Sequence, residues 1–419
     1  MHHCPPLHHT SIPGQRGPGG WPAVAAGKMR RAGAALRILG PGLLSMAGDN
    51  DAGGLLSYAA TGMRFGPSLF VPLMIPLVAL SFVVQEMAMR LSAATGKSFA
   101  TLLRERVDRR WSVLAALDLA LTNWFSLVTE FAGMGIGLQY FGVPLAVGVP
   151  AALLLVLLLA ILLPYRRVER LAVGVAVTSL LFIPLAIRLH PALAAIGLLP
   201  RAASPDVGFF VLATIGNAMA PWMVFFQSKA VQEKGMGVAD LPAGRWDLAA
   251  GSVLQGAVAV SVLLIAAATP MAQGFDPAAW LGRLGAPWLG ALLAVGLFDA
   301  GMVAAVTVGL SSAWAVAETC VAVPERAGRA VRLLYAGGLV SAAAAVLLPG
   351  LPLGLVAVGA QAASGILMPP VLGLLLVLCN DRRLTGRGRN SRAANLAGAL
   401  AAAVFTLASI VLIWSAPSA

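Results

Sequence analysis

Charge is scarce in this sequence. Asp, Glu, Lys and Arg make up 11% of its 419 residues, while hydrophobic residues make up 59%; an ordinary soluble domain has about 25% and about 45–50%. So few charges cannot cover a water-facing surface of this size, which excludes a soluble globular protein. Cysteine is nearly absent as well: Cys4, Cys320 and Cys379 are widely spaced thiols, a pattern that gives neither a disulfide framework nor a zinc site. Acids are fewer than bases, 17 against 29, for a net charge of +12. The bases lie in short loops between apolar runs, so the excess marks membrane topology and not a nucleic-acid-binding face.

What the chain has in quantity is long apolar runs, and about 20 such residues match the hydrocarbon thickness of a bilayer. Runs bounded by charge, Gly and Pro predict eleven spans at 36–62, 67–91, 111–140, 143–163, 169–189, 207–232, 245–270, 285–316, 329–348, 353–379 and 393–415. With the N-terminus inside, only Arg64, Arg188, Arg201 and Arg283 of the 29 Lys and Arg residues fall outside. Such a bias agrees with the positive-inside rule and would be lost if a span were added or omitted. The expected location is the cell inner (plasma) membrane, multi-pass, with a cytoplasmic N-terminus and an external C-terminus. Residues 1–35 lack a signal peptide's apolar core and read as a flexible cytoplasmic tail. Its doublets His2/His3 and His8/His9 could chelate a transition metal, although a tail without that role is the simpler reading. Most of the nine tryptophans, Trp111 and Trp414 especially, read as interfacial anchors.

Two spans are interrupted. The first carries "AGDNDAGG", with Asp49, Asn50 and Asp51 ahead of Gly53 and Gly54; the sixth carries "TIGNAMAPW", Thr214 to Trp222. An aspartate at mid-membrane costs about 2.5–3.5 kcal/mol on insertion scales, and intramembrane carboxylates line cavities, proton paths or ion sites. Removing "DNDAGG" as an edge loop would leave flanks too short to span. Broken segments at corresponding places in two halves point to an inverted-repeat transporter with its site at the midplane. Spans 1–5 (36–190) and 6–10 (207–379) are the expected repeats, with 393–415 as an added helix. Gly53 and Gly54 are expected to unwind the first break, and Pro221 to free the carbonyl near Asn217. Carboxylate, amide and carbonyl oxygens suit a hard cation such as Mg²⁺, Mn²⁺ or Ca²⁺.

These stretches resemble the NRAMP family of divalent metal transporters: "GPGLLSMAGDNDAGG", "VVQEMAMRLSAATGKSFATLLRER", "VTEFAG", "APWMVFFQSKAVQEKG" and "AQAASGILMPP". The resemblance implies an all-α integral membrane protein of LeuT-like fold, with eleven transmembrane helices, a 5+5 inverted repeat and helices 1 and 6 broken. Aligned on G-P-G, Asp51 falls on the family's metal-binding aspartate, Gly54 on its asparagine, Ala220 on its metal-binding methionine and Trp222 on the histidine two residues later. The "AGDNDAGG" and "APW" combination is similar to the NRAMP-related magnesium transporters. Loss of the soft thioether at Ala220 relaxes discrimination against hard ions, and a roomier site suits a partly hydrated Mg²⁺.

The resemblance therefore implies import of Mg²⁺, with Mn²⁺ as a second ion, by alternating access. The candidate metal residues are Asp51, Asn50, Gly54, Asn217, Ala220 and Gln361, the last either ligating or bonding between helices. Asp49, Glu130, Trp222, Gln227 and Asp299 are candidates for the pathway or outer shell; Gly53, Gly54 and Pro221 are the helix breaks. Leu127, Trp222 and Gln227 stand where the family has its proton-relay acid and histidines, so the expected transport is not proton-coupled. The metal is cargo, no cofactor is implied, and the partners are the divalent ion and the bilayer, with no nucleic acid and a monomeric chain. A proton-coupled Mn²⁺/Fe²⁺ carrier, a Na⁺-coupled solute carrier of the same architecture and a membrane-embedded aspartate enzyme are the alternatives. For the last, no second acid opposite Asp51, no nucleophile–base pair and no phosphate loop is visible.

Overall fold

The structure, a computed structural model, describes residues 42, 45, 48–162, 177–189, 196–200, 204–269, 275–320 and 324–415. The tail 1–35 with its histidine doublets, and the start of the predicted fifth span, lie outside the described residues. All regular structure among those described is helical: α1 (Ala52–Phe65), α2 (Phe70–Thr95), α3 (Phe99–Arg106), α4 (Arg109–Tyr140), α5 (Leu145–Leu162), α6 (Phe182–Arg188), α7 (Val207–Ala218) and α8 (Pro221–Lys234), followed by α9 (Leu241–Ala267), α10 (Pro277–Gly282), α11 (Pro287–Cys320), α12 (Pro324–Val346), α13 (Leu353–Asn380), α14 (Arg382–Thr385) and α15 (Arg392–Ser415).

Eight helical segments among the described residues are long and apolar enough to cross a membrane, the interrupted Val207–Lys234 among them. Shorter apolar helices lie at Leu145–Ala160 and Thr178–Arg188, inside two further predicted spans. The first span is represented by the helical residues Gly42, Ser45, Gly48 and Asp49 and then by α1. Large apolar side chains remain exposed along the outside, such as Ile75, Leu154, Val253 and Leu407, as lipid-facing positions require. Trp111 and Trp414 are exposed, consistent with anchors, but Trp222 and Trp280 are fully buried and belong to the core.

Close helix approaches place the site. α4 and α11 run antiparallel, with a Cβ added at Gly137 meeting the Ala294 carbonyl oxygen, one at Gly301 meeting that of Glu130, and Asn123 Nδ2 donating to the Val308 carbonyl at 3.2 Å. α7 and α13 approach still more closely. A Cβ at Gly216 would lie 2.0 Å from the Gln361 carbonyl oxygen and 2.5 Å from Gly365 N. Both obstacles are backbone, which cannot rotate aside. Gly216→Ala is therefore expected to destabilise the protein by about 1–3 kcal/mol, read as a lower melting temperature in detergent. Gly337→Ala is the control, because nothing lies within 4 Å of its added Cβ; equal melting curves for the two variants would refute the close packing.

At the end that the charge bias assigns to the cytoplasm, polar side chains tie the helices together. Glu86 pairs with Arg90 at 3.1 Å and Arg245 at 2.7 Å, and Arg90 also donates to the Gly388 carbonyl and to Asn390. Lys229 pairs with Glu233 and Glu318, while Ser98, the N-cap of α3, donates to Glu318. At the opposite end Arg64 pairs with Asp206, and a cavity of about 300 Å³ lies between the end of α4 and the starts of α10 and α13, lined by Gln139, Asp276 and Leu353 among others.

Candidate metal site

Asp51 sits at the break of the first span. Its backbone is extended (φ −69°, ψ 165°), and its side chain caps α1 by accepting from Gly54 N. An acidic N-cap satisfies an orphan amide and sits favourably against the positive end of the helix dipole. The break thus falls at Asn50 and Asp51, and Gly53 and Gly54 lie within α1. This corrects the expectation that the glycines unwind the chain. They are needed because neighbours press on them: a Cβ at Gly53 would lie 2.1 Å from Thr129 Oγ1, and one at Gly54 would lie 2.3 Å from Asn217 Oδ1 and 2.8 Å from Asp51 Oδ1.

The second break matches in kind. α7 ends at Ala218, Met219 and Ala220 are extended, and Pro221 opens α8 as its first residue. Proline suits that position because the amide it lacks would be unpaired there in any case. Pro221 thus begins a half-helix instead of kinking a continuous one. The last carbonyls of α7 have no intrahelical donor; that of Ala218 accepts from Gln255 Nε2 at 3.3 Å. Helix C-termini favour positive charge, and the end of α7 meets the first break through Asn217, which donates to the Gly54 carbonyl.

Around Asp51 the expected residues gather. Gln361 Nε2 donates to Asp51 Oδ1 at 3.3 Å, and Asn217 Nδ2 donates to the Gly54 carbonyl at 3.2 Å. Asn217 Oδ1 and Asn50 Oδ1 are buried and have no hydrogen-bond partner among the described residues. Glu130 Oε2 accepts from Ala52 N at 2.8 Å, which brings a second carboxylate beside Asp51. Asp51, Asn217 and Gln361 are 3%, 1% and 2% exposed, so a bare ion here would exchange its water for these oxygens. Gly54 offers no side chain, and its carbonyl is already engaged by Asn217. It serves by leaving room for the Asn217 amide, which occupies the place of a side chain on α1.

Other candidates fall at a distance or take different parts. Ala220 gives no side-chain donor; its carbonyl accepts from Met223 N at 3.2 Å, and Met223 Sδ lies 3.5 Å from Ala220 N. Trp222 packs on Phe226, with ring centroids 5.9 Å apart, and faces Gly48; its carbonyl accepts from Ser311. Trp222 therefore walls the first break. Gln227 is buried, with neither amide atom partnered among the described residues. Asp299 accepts from Thr178 Oγ1 at 3.1 Å, a bond to a neighbouring segment. Thr129 and Gln255 were missed by the sequence reading. The only signal for Gln255 was a lone amide within the apolar stretch "GSVLQGAVAV". No cluster of three or more His, Cys, Asp or Glu side chains able to hold a metal occurs among the described residues; the oxygens gathered at the breaks are those of amides and carbonyls beside one or two carboxylates.

Residues 42–415 match the family described as Nramp, natural resistance-associated macrophage protein-like. Proteins named divalent metal cation transporter MntH are similar to this chain. The one from Agrobacterium fabrum is 28% identical over 286 residues, 63% of this chain and 61% of the relative. The one from Xanthomonas campestris pv. campestris is 29% identical over 297 residues, 64% of each. The one from Levilactobacillus brevis is 35% identical over 147 residues, 34% of this chain and 32% of the relative. The chain thus spans from about a third to under two thirds of the length of these relatives. A manganese transporter structure from Eremococcus coleocola aligns with a TM-score of 0.74 at 20% identity, covering 93% of this chain and 89% of that one. A nucleobase-cation-symport-1 transporter aligns at 0.62 and 13% identity, covering 90% and 93%; at these identities the likeness is one of fold. Because the family match runs across nearly the whole chain, and over both helix breaks, the protein belongs to the Nramp family.

Proposed function

We propose that this protein is not an enzyme but carries divalent metal cations across a membrane by alternating access, importing Mg²⁺ together with Mn²⁺ without coupling to protons. The observation that carries the reading is the meeting of the Asp51 carboxylate with the unpartnered Asn217 Oδ1 between two half-helices. A hard, oxygen-only donor set of this kind suits Mg²⁺ or Mn²⁺, with water completing the shell. Asn50 is the further proposed ligand, and Gln361 orients Asp51 or reaches the ion directly. The metal is the cargo, with no resident cofactor. Without a proton gradient the driving force is the membrane potential, about 4.6 kcal/mol for a divalent ion at 100 mV. The reading includes eleven crossings with a 5+5 inverted repeat, a monomer in the plasma membrane, the N-terminus in the cytoplasm and the C-terminus outside.

Proteoliposomes test this reading. Mg²⁺ and Mn²⁺ should both enter without internal acidification, with or without a pH gradient. Mn²⁺ entry with acidification and no Mg²⁺ entry would favour the proton-coupled alternative, which the Glu130 carboxylate beside Asp51 motivates. No influx of either ion would reject transport of these cations.

Ion preference has its own test. Ala220→Met places a thioether at the second break, and soft ligands select against Mg²⁺. The variant is expected to raise the preference for Mn²⁺ over Mg²⁺ by about tenfold, measured as Mg²⁺ competition against Mn²⁺ influx. An unchanged ratio would remove Ala220 from the account of selectivity.

A further inference from the structure

Beyond the Asp51 site, a second group of buried polar atoms has no hydrogen-bond partner among the described residues: Ser45 Oγ, Asp49 Oδ2, Ser81 Oγ, both amide atoms of Gln85 and Gln255 Oε1. All five residues are at most 3% exposed. Buried polar atoms are nearly always bonded, and unpaired ones point to water or an ion. One alone could be chance. Helix register sets these five along one junction.

Three sets of contacts bring them together. Gly42, Ser45 and Asp49 are helical and spaced by three and four residues, so they share one stripe. That stripe faces α9, because Gly42 N donates to Asp247 Oδ2 at 2.8 Å and a Cβ on Gly42 would touch the Leu248 backbone. Higher in the membrane a Cβ on Gly62 would touch the Leu263 carbonyl oxygen, so the first span and α9 run in the same direction. Asp49, about two helical turns above Gly42, therefore comes level with the Gln255 region, about two turns above Leu248. On α2, Val78, Ser81, Gln85 and Met89 also form one stripe, and its two ends face α9: Val78 meets Gly256 and Met89 meets Gly244. Ser81 and Gln85 lie between those ends and face the junction of the first span with α9.

The junction adjoins the candidate metal site on one side and the polar network at one membrane face on the other. Gln255 bonds to the Ala218 carbonyl at the second break, and Asp49 stands two residues before Asp51 in the chain. In the other direction, Gln85 adjoins Glu86, which holds Arg90 and Arg245. The donors are one carboxylate oxygen, two amide groups and two hydroxyls. They cannot neutralise a dication as fully as a dedicated cage, but they can replace part of the water around one, as a hydrated and briefly held ion requires.

We propose that Ser45, Asp49, Ser81, Gln85 and Gln255 form a second, weaker divalent-cation station, distinct from Asp51, which the ion occupies between the helix breaks and the face bearing Glu86. The inference rests on the transport reading above. Two dications cannot share so short a distance at low cost, so the stations are filled in turn.

The test uses Asp51→Ala protein in lipid nanodiscs, with bound Mn²⁺ counted by electron paramagnetic resonance. This variant should retain one weak Mn²⁺ equivalent, and adding Asp49→Asn or Gln85→Leu should abolish it. Gel filtration and melting curves check folding, and the Gln85→Leu pair decides if the Asp49 pair does not fold. In an otherwise unaltered chain Gln85→Leu should slow Mn²⁺ influx about tenfold while changing equilibrium Mn²⁺ affinity less than about threefold. A folded Asp51→Ala protein that binds no Mn²⁺, or retains the weak equivalent after Gln85→Leu, overturns the station. Absence of Mn²⁺ binding by the unaltered protein would instead overturn the transport reading itself.

Discussion

Asp51→Ala and Asp51→Asn are both expected to lower Mn²⁺ influx into proteoliposomes by about 100-fold or more, since losing one partner of a buried charge interaction costs about 3 kcal/mol or above. The pair of variants separates two roles of one side chain. Asp51 caps α1 through Gly54 N, and asparagine caps a helix about as well as aspartate, whereas alanine loses about 1 kcal/mol. Asp51→Asn should therefore fold with near-normal stability and still fail to transport. Asp51→Ala should lose activity and some thermal stability together. Normal influx through Asp51→Asn would mean that the side chain is only a cap, and the ion site would have to lie elsewhere.

Gly54 and Asn217 should behave as one unit. The atom that a Cβ on Gly54 would strike first is Asn217 Oδ1, at 2.3 Å, the free end of a side chain. The clash can be relieved by turning the Asn217 amide and the Asp51 carboxylate, 2.8 Å from the same Cβ, away, so Gly54→Ala is expected to weaken Mn²⁺ affinity by about tenfold or more while lowering stability by no more than about the 1 kcal/mol of a lost cap. Asn217→Ala should have a similar effect, because it removes the same oxygen. The double variant Gly54→Asn, Asn217→Ala returns an amide from the other half-helix and should recover most of the affinity lost in either single change. Wild-type affinity in Gly54→Ala, or two deficits that simply add in the double variant, would show that Asn217 is not a ligand.

The contrast between the breaks explains what could be read before the structure. Asp49, Asn50 and Asp51 stood out because charge is expensive in a bilayer, and an expensive residue needs a local reason. Pro221 stood out because its missing amide limits where it can sit in a helix. Gly53 and Gly54 misled because glycine is ambiguous: it permits unwinding, and it equally permits close approach. Which of these applies depends on Thr129 and Asn217, far away in sequence. Asp299 stayed open for a related reason, since an intramembrane acid near a pathway and one bonded to a neighbouring segment, as Asp299 is to Thr178, look alike along the chain.

The sequence by itself determined the all-helical membrane class, the placement of most helices and the two interrupted spans, because hydrophobic run length and the cost of buried charge act over neighbouring residues. Only the tertiary structure decided that Gln361 reaches Asp51, that Asn217 fills the place of a side chain on Gly54 and that Gln255 bonds to the Ala218 carbonyl at the second break. Those relations depend on helix register and rotation. Both are fixed by backbone contacts such as Gly216 against Gln361, between residues that have no neighbourhood in the chain.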